Sequence, residues 1–142
     1  MRAFFDTNVL VYLFDRDAPD KQRVARTLLE REASAGRATL STQVLQEFFV
    51  TVTRKLGVPV EHDQAERAVR SLSDLSVVQV DTPLILAAIE TSRRLRISFW
   101  DALIVGAALH SGSTVLYTED LQHSQEIDGL TISNPFVELQ TR

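Results

Sequence analysis

Hydrophobic and polar positions divide the chain into alternating short and long blocks. Short apolar runs that stop at turn-forming or capping residues predict buried strands, and longer segments with apolar side chains every three or four positions predict amphipathic helices. The predicted strands cover residues 3–5, 38–40, 77–80, 114–118 and 130–132. The predicted helices cover residues 9–14, 19–35, 42–56, 62–75, 82–96 and 99–110. The two kinds of element alternate along the chain.

This alternation of strands and helices indicates the fold class. Parallel neighbouring strands need crossover connections, and helices commonly supply them. We therefore expect an α/β sandwich around a mainly parallel sheet. Sheets of this kind bind ligands at the carboxyl ends of their strands, so candidate chemistry should be sought there.

Length and composition limit the classes of protein. A chain of 142 residues is close to the size of one domain, so we expect a single domain over residues 1–142. The absence of cysteine excludes disulfides, thiolate metal sites and cysteine nucleophiles. Neither the N-terminus nor the longest apolar run suits a signal peptide or a membrane span, so we expect a cytoplasmic protein. The net charge of −4 argues against binding duplex nucleic acid through an extended basic surface, and leaves local contacts open.

Four segments carry acidic side chains where a parallel sheet collects ligands. Asp6 directly follows the first predicted strand, and Glu119 and Asp120 follow the fourth. Asp101 lies in the first turn of the most hydrophobic helix, where positive potential from the helix amides favours a carboxylate. Glu47 lies on the polar face of its helix, about 140° from the centre of the apolar stripe at about 3.6 residues per turn.

Each of these acids also has a purely structural interpretation. Asp6 is a suitable cap for the helix that follows it, and Ser98 with Asp101 resembles a capping box. Glu47 is compatible with an ordinary solvated surface acid, and the acids after the fourth strand with a polar turn. Asp81 also follows a strand, but a proline two positions later marks it as a helix cap, so we assign it no chemistry.

Taken together, the acids favour a metal site. Carboxylates from four segments can converge only if protonation or a hard divalent cation offsets their repulsion. An all-oxygen site suits Mg²⁺ or Mn²⁺. A zinc site is disfavoured because the chain lacks cysteine and its histidines, His62, His110 and His123, form no spaced ligand pair.

Five short motifs, in order along the chain, resemble those of one protein family. They read FFDTNVL at residues 4–10, QEF at 46–48, ISFWDALI at 97–104, LYTEDL at 116–121 and ISNPF at 132–136. These motifs are similar to those of PIN-domain ribonucleases and, more narrowly, of the VapC-type toxins of bacterial toxin–antitoxin pairs. The resemblance spans almost the whole chain.

The resemblance implies a PIN-like three-layer α/β/α sandwich and assigns roles to the acids. The implied acidic metal site, which is also catalytic, consists of Asp6, Glu47, Asp101 and Asp120. The implied supporting polar residues are Thr7, Asn8 and Thr118. Glu119 is an additional acid whose role is open, because the family's acid at this motif aligns better with Asp120.

The activity that the resemblance implies is hydrolysis of RNA phosphodiester bonds by water activated at Mg²⁺ or Mn²⁺. The implied partners are an RNA substrate, a cognate antitoxin protein and a second copy of the chain in a homodimer. Arg54 is a candidate for binding the substrate, although a cation near a helix C-terminus is also favourable in itself. The alternative function is a non-catalytic PIN-fold module that binds RNA or another protein.

Overall fold

The computed structural model describes residues 1–140, and these contain six strands and seven helices. The strands are β1 (Arg2–Phe5), β2 (Ala38–Ser41), β3 (Ser76–Val78), β4 (Ser113–Tyr117), β5 (Glu126–Ile127) and β6 (Leu130–Ser133). The helices are α1 (Thr7–Val11), α2 (Pro19–Ser34), α3 (Thr42–Arg54), α4 (His62–Ser73), α5 (Thr82–Leu95), α6 (Phe99–His110) and α7 (Val137–Gln140). A short 3₁₀ helix, Tyr12–Phe14, follows α1.

The strands form one sheet in the order β3-β2-β1-β4-β6-β5. All neighbouring strands are parallel except β5, which pairs antiparallel with β6. The chain builds outward from β1 to β3 in one direction and then returns to place β4 on the other side of β1. Right-handed crossovers therefore put α1 to α4 on one face and α5 and α6 on the other, which gives three layers. The point where the direction reverses, between β1 and β4, is where such sheets bind ligands.

Capping residues set the starts of the helices around this point. Asp6, Ser41, Asp81 and Ser98 each have an extended backbone, and each accepts a hydrogen bond through its side chain from an amide of the helix that follows. Proline at the first turn of α2 and α5 fixes two further starts. At the ends of β1 and β2, the next helix consequently begins within one or two residues, and a polar capping residue, Asp6 or Ser41, lies at the junction.

The core lies between the sheet and the two helical layers. Its largest fully buried side chains include Phe4 and Phe5 of β1, Phe48 of α3, and Phe136, which precedes α7. Most of α6 is buried between residues 102 and 108, as its nearly continuous apolar sequence predicts. No helix within residues 1–140 is long and apolar enough to cross a membrane.

The structure departs from the predicted elements at several ends. The strand predicted at residues 77–80 ends at Val78, because the amide of Val80 leaves the sheet and donates to the Thr42 hydroxyl at 3.1 Å. The strand predicted at 114–118 begins and ends one residue earlier, and Thr118, just beyond its end, donates its hydroxyl to Asp6. Strand β5 and helix α7 were not predicted at all.

Candidate metal centre

The ends of β1 and β4 lie side by side and form the centre of the candidate site. The strand register places Phe5 beside Tyr117. One residue further, the amide of Asp6 donates to the carbonyl of Tyr117 at 2.9 Å. Asp6 is therefore adjacent to Thr118, whose hydroxyl donates to Asp6 Oδ2 at 2.8 Å.

Asp6 is both a helix cap and a member of the site. Its Oδ1 accepts from the backbone amide of Thr7 at 2.6 Å and caps α1, as the structural interpretation of this residue requires. Its other oxygen is held by Thr118, so both carboxylate oxygens are fixed. Asp6 is only 5% exposed, an unusual position for a carboxylate without a cationic partner.

A small hydrogen-bond network shapes the loop after β4. The Thr118 hydroxyl oxygen accepts from the amide of Asp120 at 3.1 Å and from Asn8 Nδ2 at 3.4 Å. In turn, Asn8 Oδ1 accepts from the amide of Glu119 at 3.3 Å. These contacts hold the loop against the start of α1, and they involve two of the three residues, Asn8 and Thr118, that the resemblance implied as supporting polar residues.

Asp101 enters from the opposite helical layer. Ser98 caps α6 by accepting from the amide of Asp101 at 3.0 Å. The half-buried carboxylate of Asp101 belongs to the same cluster as those of Asp6 and Asp120. Asp101 can therefore take part in both, because its backbone amide donates to the cap Ser98 and its carboxylate belongs to the acidic cluster.

Three carboxylates converge at this point. Asp6, Asp101 and Asp120 each provide one oxygen, and these oxygens all lie within 4.8 Å of one another. Within residues 1–140, none of the three forms an ion pair with a basic side chain. Among the described residues, no basic side chain is therefore paired with these carboxylates to offset their mutual repulsion.

The electrostatics of the cluster follow from this arrangement. The pKa of Asp6 is raised from 3.8 to about 7, and burial is the largest cause. Hydrogen bonds from Thr118 and Thr7 lower this pKa, and the charges of Asp120 and Asp101 raise it. Burial, followed by the charge of Asp120, also raises the pKa of Asp101. A site that disfavours its own negative charge in this way favours a bound cation.

A hard divalent cation fits the donor set. Oxygen ligands bind Mg²⁺ or Ca²⁺ at about 2.0 to 2.6 Å, so two ligands of one ion lie at most about 5 Å apart. The three carboxylates meet this limit with side chains alone. All three donors are oxygens, as such ions prefer, and no histidine belongs to this cluster.

A family model of the PIN domain matches residues 3–127 of the chain, a segment that includes all three acids. The chain belongs to the PIN-domain family. No curated protein matches it significantly.

Solved structures share the fold of this PIN domain at low sequence identity. A toxin–antitoxin complex from Klebsiella pneumoniae contains a chain that is 22% identical, with a TM-score of 0.69 over 94% of this chain and 97% of that one. VapBC2 from Rickettsia felis, bound to a promoter DNA fragment, is also 22% identical, with a TM-score of 0.68 over 94% and 98%. VapC20 from Mycobacterium tuberculosis, described as a toxin that cleaves the sarcin–ricin loop, is 21% identical, with a TM-score of 0.63 over 83% and 89%.

In this PIN domain Glu47 lies beside the three aspartates but outside their cluster. Its Oε1 accepts from the Thr7 hydroxyl at 2.8 Å, which connects α3 to the start of α1. The negative charge of Glu47 contributes to raising the pKa of Asp101. The resemblance implied one metal site of four acids. The structure places oxygens of three of them within 4.8 Å of one another, and Glu47, the fourth, is bonded to Thr7 instead.

The side chain of Glu119 makes different contacts from that of Asp120. Its carboxylate accepts from the Tyr12 hydroxyl at 2.7 Å and forms an ion pair with Lys21, whose ammonium group also lies 4.8 Å from the centre of the Tyr12 ring. Asp120 instead joins the acidic cluster. The two neighbouring acids thus have separate surroundings, a difference that the sequence left open.

A cavity of about 700 Å³ contains the site. Helix α3 and the residue after it contribute a row of lining side chains spaced four residues apart, namely Gln43, Glu47, Thr51 and Lys55. Arg54, the candidate for binding the substrate, is exposed and is not among the residues that line this cavity, whereas the neighbouring Lys55 is.

Two further residues at the site had no assigned role in the sequence analysis, Gln43 and Trp100. Both line the cavity, and Gln43 Nε2 donates to the carbonyl of Trp100 at 3.3 Å. The spacing of four between Gln43 and Glu47 was a signal for the first of them, because it places both on one face of α3. The position of Trp100 directly before Asp101 was a signal for the second.

Proposed function

We propose that this PIN domain is a metal-dependent endoribonuclease that uses Mg²⁺ or Mn²⁺. The observation that carries the proposal is the cluster of Asp6, Asp101 and Asp120 at the sheet's reversal point, with oxygens within 4.8 Å and no basic partner among the described residues. Hydrolysis of a phosphodiester bond at neutral pH needs positive charge where the phosphate binds. The net charge of −4 argues against an extended basic surface as the source of that charge, so a bound metal ion is the better source.

The three aspartates would hold the ion, and Glu47 would act beside it. A bound divalent ion supplies Lewis acidity, which favours deprotonation of the attacking water and stabilises the departing oxygen. The hydrogen bonds from Thr7 and Thr118 fix the two oxygens of Asp6, so that this ligand keeps its orientation when the substrate binds. Because Thr7 holds Oε1 of Glu47, we assign to Oε2 the hydrogen bond that orients the attacking water.

The reaction that we propose is a direct displacement by water. The water oxygen bonds to phosphorus and releases a proton to solvent, while the bond from phosphorus to the 3′ oxygen breaks and that oxygen takes up a proton from solvent. The products therefore carry a 5′-phosphate and a 3′-hydroxyl group. No protein nucleophile takes part. Lys55, in the wall of the same cavity, provides a local positive charge for a neighbouring phosphate of the substrate.

We further propose that the chain is the toxin of a toxin–antitoxin pair and acts on cytoplasmic RNA. The resemblance of its motifs to VapC-type toxins supports this, as does the shared fold with chains from toxin–antitoxin complexes. The proposed partners are a cognate antitoxin and a second copy of the chain. Co-purification of a tagged chain from its own cells tests for the antitoxin, and light scattering of the purified chain alone tests for the second copy.

Incubation with RNA tests the proposed activity. The purified chain, free of any partner, is incubated with total RNA in Mg²⁺, Mn²⁺ or EDTA, beside the Asp6→Asn and Asp101→Asn variants. Asp81→Asn is the matched control, because Asp81 is also a helix cap after a strand but lies outside the cavity. We expect cleavage only with metal, its loss in the first two variants and its retention in the control. Binding of RNA without cleavage, in a folded protein, would instead support the non-catalytic module.

A further inference from the structure

Trp100 is an exposed aromatic side chain beside the acidic cluster. It is the only tryptophan of the chain, is 60% exposed, and lines the same cavity as Asp6, Asp101 and Asp120. An aromatic ring with this exposure gives the fold little of the stabilisation that its burial would give. Stabilisation of the fold therefore does not explain why a tryptophan lies at this position.

The main chain at Trp100 is held in place. Trp100 and Asp101 are consecutive residues in the first turn of α6, so the ring and the metal-binding carboxylate share one rigid element. The ring of Phe99 packs edge-on against the indole, with centroids 5.1 Å apart and planes at 75°. Gln43 Nε2 donates to the Trp100 carbonyl at 3.3 Å from a side chain on α3. The indole is thus presented at a fixed position relative to Asp101.

Gln43 adds a second, independent observation. The residue is only 5% exposed and lines the cavity, and its Oε1 is a buried acceptor without a hydrogen-bond partner among residues 1–140. A buried acceptor left without a donor costs free energy, so native structures generally provide one. A ligand that brings both an aromatic face and a donor at its edge matches the surfaces that Trp100 and Gln43 offer.

We propose that Trp100 is the stacking platform for one nucleobase of the RNA substrate, next to the phosphate that is cleaved, and that Gln43 accepts a hydrogen bond from that base. This inference rests on the proposed function and specifies its substrate. A base paired within a duplex cannot stack on a protein side chain, so the RNA is single-stranded at this nucleotide. Loss of a stacking side chain weakens binding by about 1 to 3 kcal/mol per base, which corresponds to roughly 5- to 150-fold.

Fluorescence provides a test that does not depend on cleavage. The Asp101→Asn variant, which we expect to be inactive, is titrated in Mg²⁺ with short unstructured RNA while the emission of its single tryptophan is recorded. We expect saturable quenching by the RNA. Replacement of one nucleotide by an abasic unit, moved along the oligonucleotide, should abolish the quenching at one position only. RNA that binds, as followed by anisotropy of a labelled strand, without any quenching would overturn the inference.

Kinetics provide the second test. Trp100→Ala should raise KM for RNA by roughly 5- to 150-fold with little change in kcat, and Trp100→Phe, which keeps an aromatic face, should recover most of the loss. Leu86→Ala is the matched control, because Leu86 is 61% exposed and lies outside the cavity. An unchanged KM in Trp100→Ala would overturn the inference.

The outcomes also separate this inference from the proposed function. Quenching by RNA in a protein that cleaves nothing would support the stacking site and contradict the nuclease. Cleavage that requires metal and all three aspartates, but is indifferent to Trp100, would do the reverse.

Discussion

Replacing Asp6 by asparagine should stabilise the metal-free protein while removing its activity. The carboxylate is buried, and burial raises its pKa from 3.8 to about 7. The folded state holds the proton of Asp6 more tightly than the unfolded state does. The contribution of Asp6 to the free energy of unfolding is therefore fully present below about pH 4 and is lost as the pH rises from about 4 to 7. At about 1.4 kcal/mol per pH unit, the full difference amounts to about 4 kcal/mol above pH 7, and to less than half of that at pH 5.

The amide avoids this cost without changing the shape of the site. Its oxygen can still accept from the amide of Thr7. Its nitrogen can donate to the hydroxyl oxygen of Thr118 only by replacing the long contact from Asn8, so the amide loses the bond that Thr118 donates to Asp6 and part of the gain with it. Asparagine is also about as good a helix cap as aspartate. We therefore expect Asp6→Asn to be more stable than the unsubstituted protein by up to about 4 kcal/mol at pH 8, and by clearly less at pH 5.

Urea unfolding in EDTA at pH 5 and pH 8 measures this difference. The Asp81→Asn variant is the control, since it changes an exposed cap and should alter stability by less than about 0.5 kcal/mol at both pH values. Added Mg²⁺ should stabilise the unsubstituted protein at pH 8 and leave Asp6→Asn unaffected. If Asp6→Asn is the less stable protein at pH 8, or behaves like the control, then the carboxylate is not strained by burial and the reasoning is wrong.

Three further pairs of variants test individual side chains at the site. Lys55→Ala should raise KM for RNA several-fold and reduce the salt dependence of binding by about one phosphate contact, whereas Arg54→Ala should do neither, as KM measured at several salt concentrations will show. Asp120→Asn should abolish cleavage, whereas Glu119→Gln should retain most of it and lose only the ion pair with Lys21, as cleavage assays and thermal unfolding in parallel will show. Thr118→Val should weaken Mg²⁺ binding about 10- to 100-fold, and Thr118→Ser should restore it, as calorimetric titration with the metal will show.

Local patterns predicted most of the fold because they coincide with local causes. Helix α6 was predicted to begin at Phe99 and to end near His110, as observed, since Ser98 caps it and Gly112 follows its end. Of the antiparallel pair β5 and β6, only β6 was predicted, although the sequence between the two strands is typical of a hairpin turn. Asp128 and Gly129 both have positive φ, as the tight turn of a two-residue hairpin requires, and an Asp-Gly pair between apolar residues is typical of that turn.

The site was predictable as a set of acids but not as a geometry. The strand ends placed Asp6 and Asp120 at the same edge of the sheet, because parallel strands leave their carboxyl ends together. The separate surroundings of Glu47 depend on how far α3 lies from α6, which is set by packing between layers and leaves no trace in the spacing. The sequence could not predict the unpartnered oxygen of Gln43 either, because it depends on how closely α3 approaches the main chain at Trp100.

The Thr118 hydroxyl explains why fold and site are so closely combined here. It donates to Asp6 at the end of β1 and accepts from the amide of Asp120 after β4, so a single group fixes two of the three acids relative to each other. Like charges held at this distance oppose folding, and only protonation or a cation relieves them. The hydrogen bonds that position the ligands thus also maintain the repulsion that a metal ion removes. Metal binding and stability should accordingly be linked in this domain, with the largest gain from the ion at a pH where Asp6 would otherwise be charged.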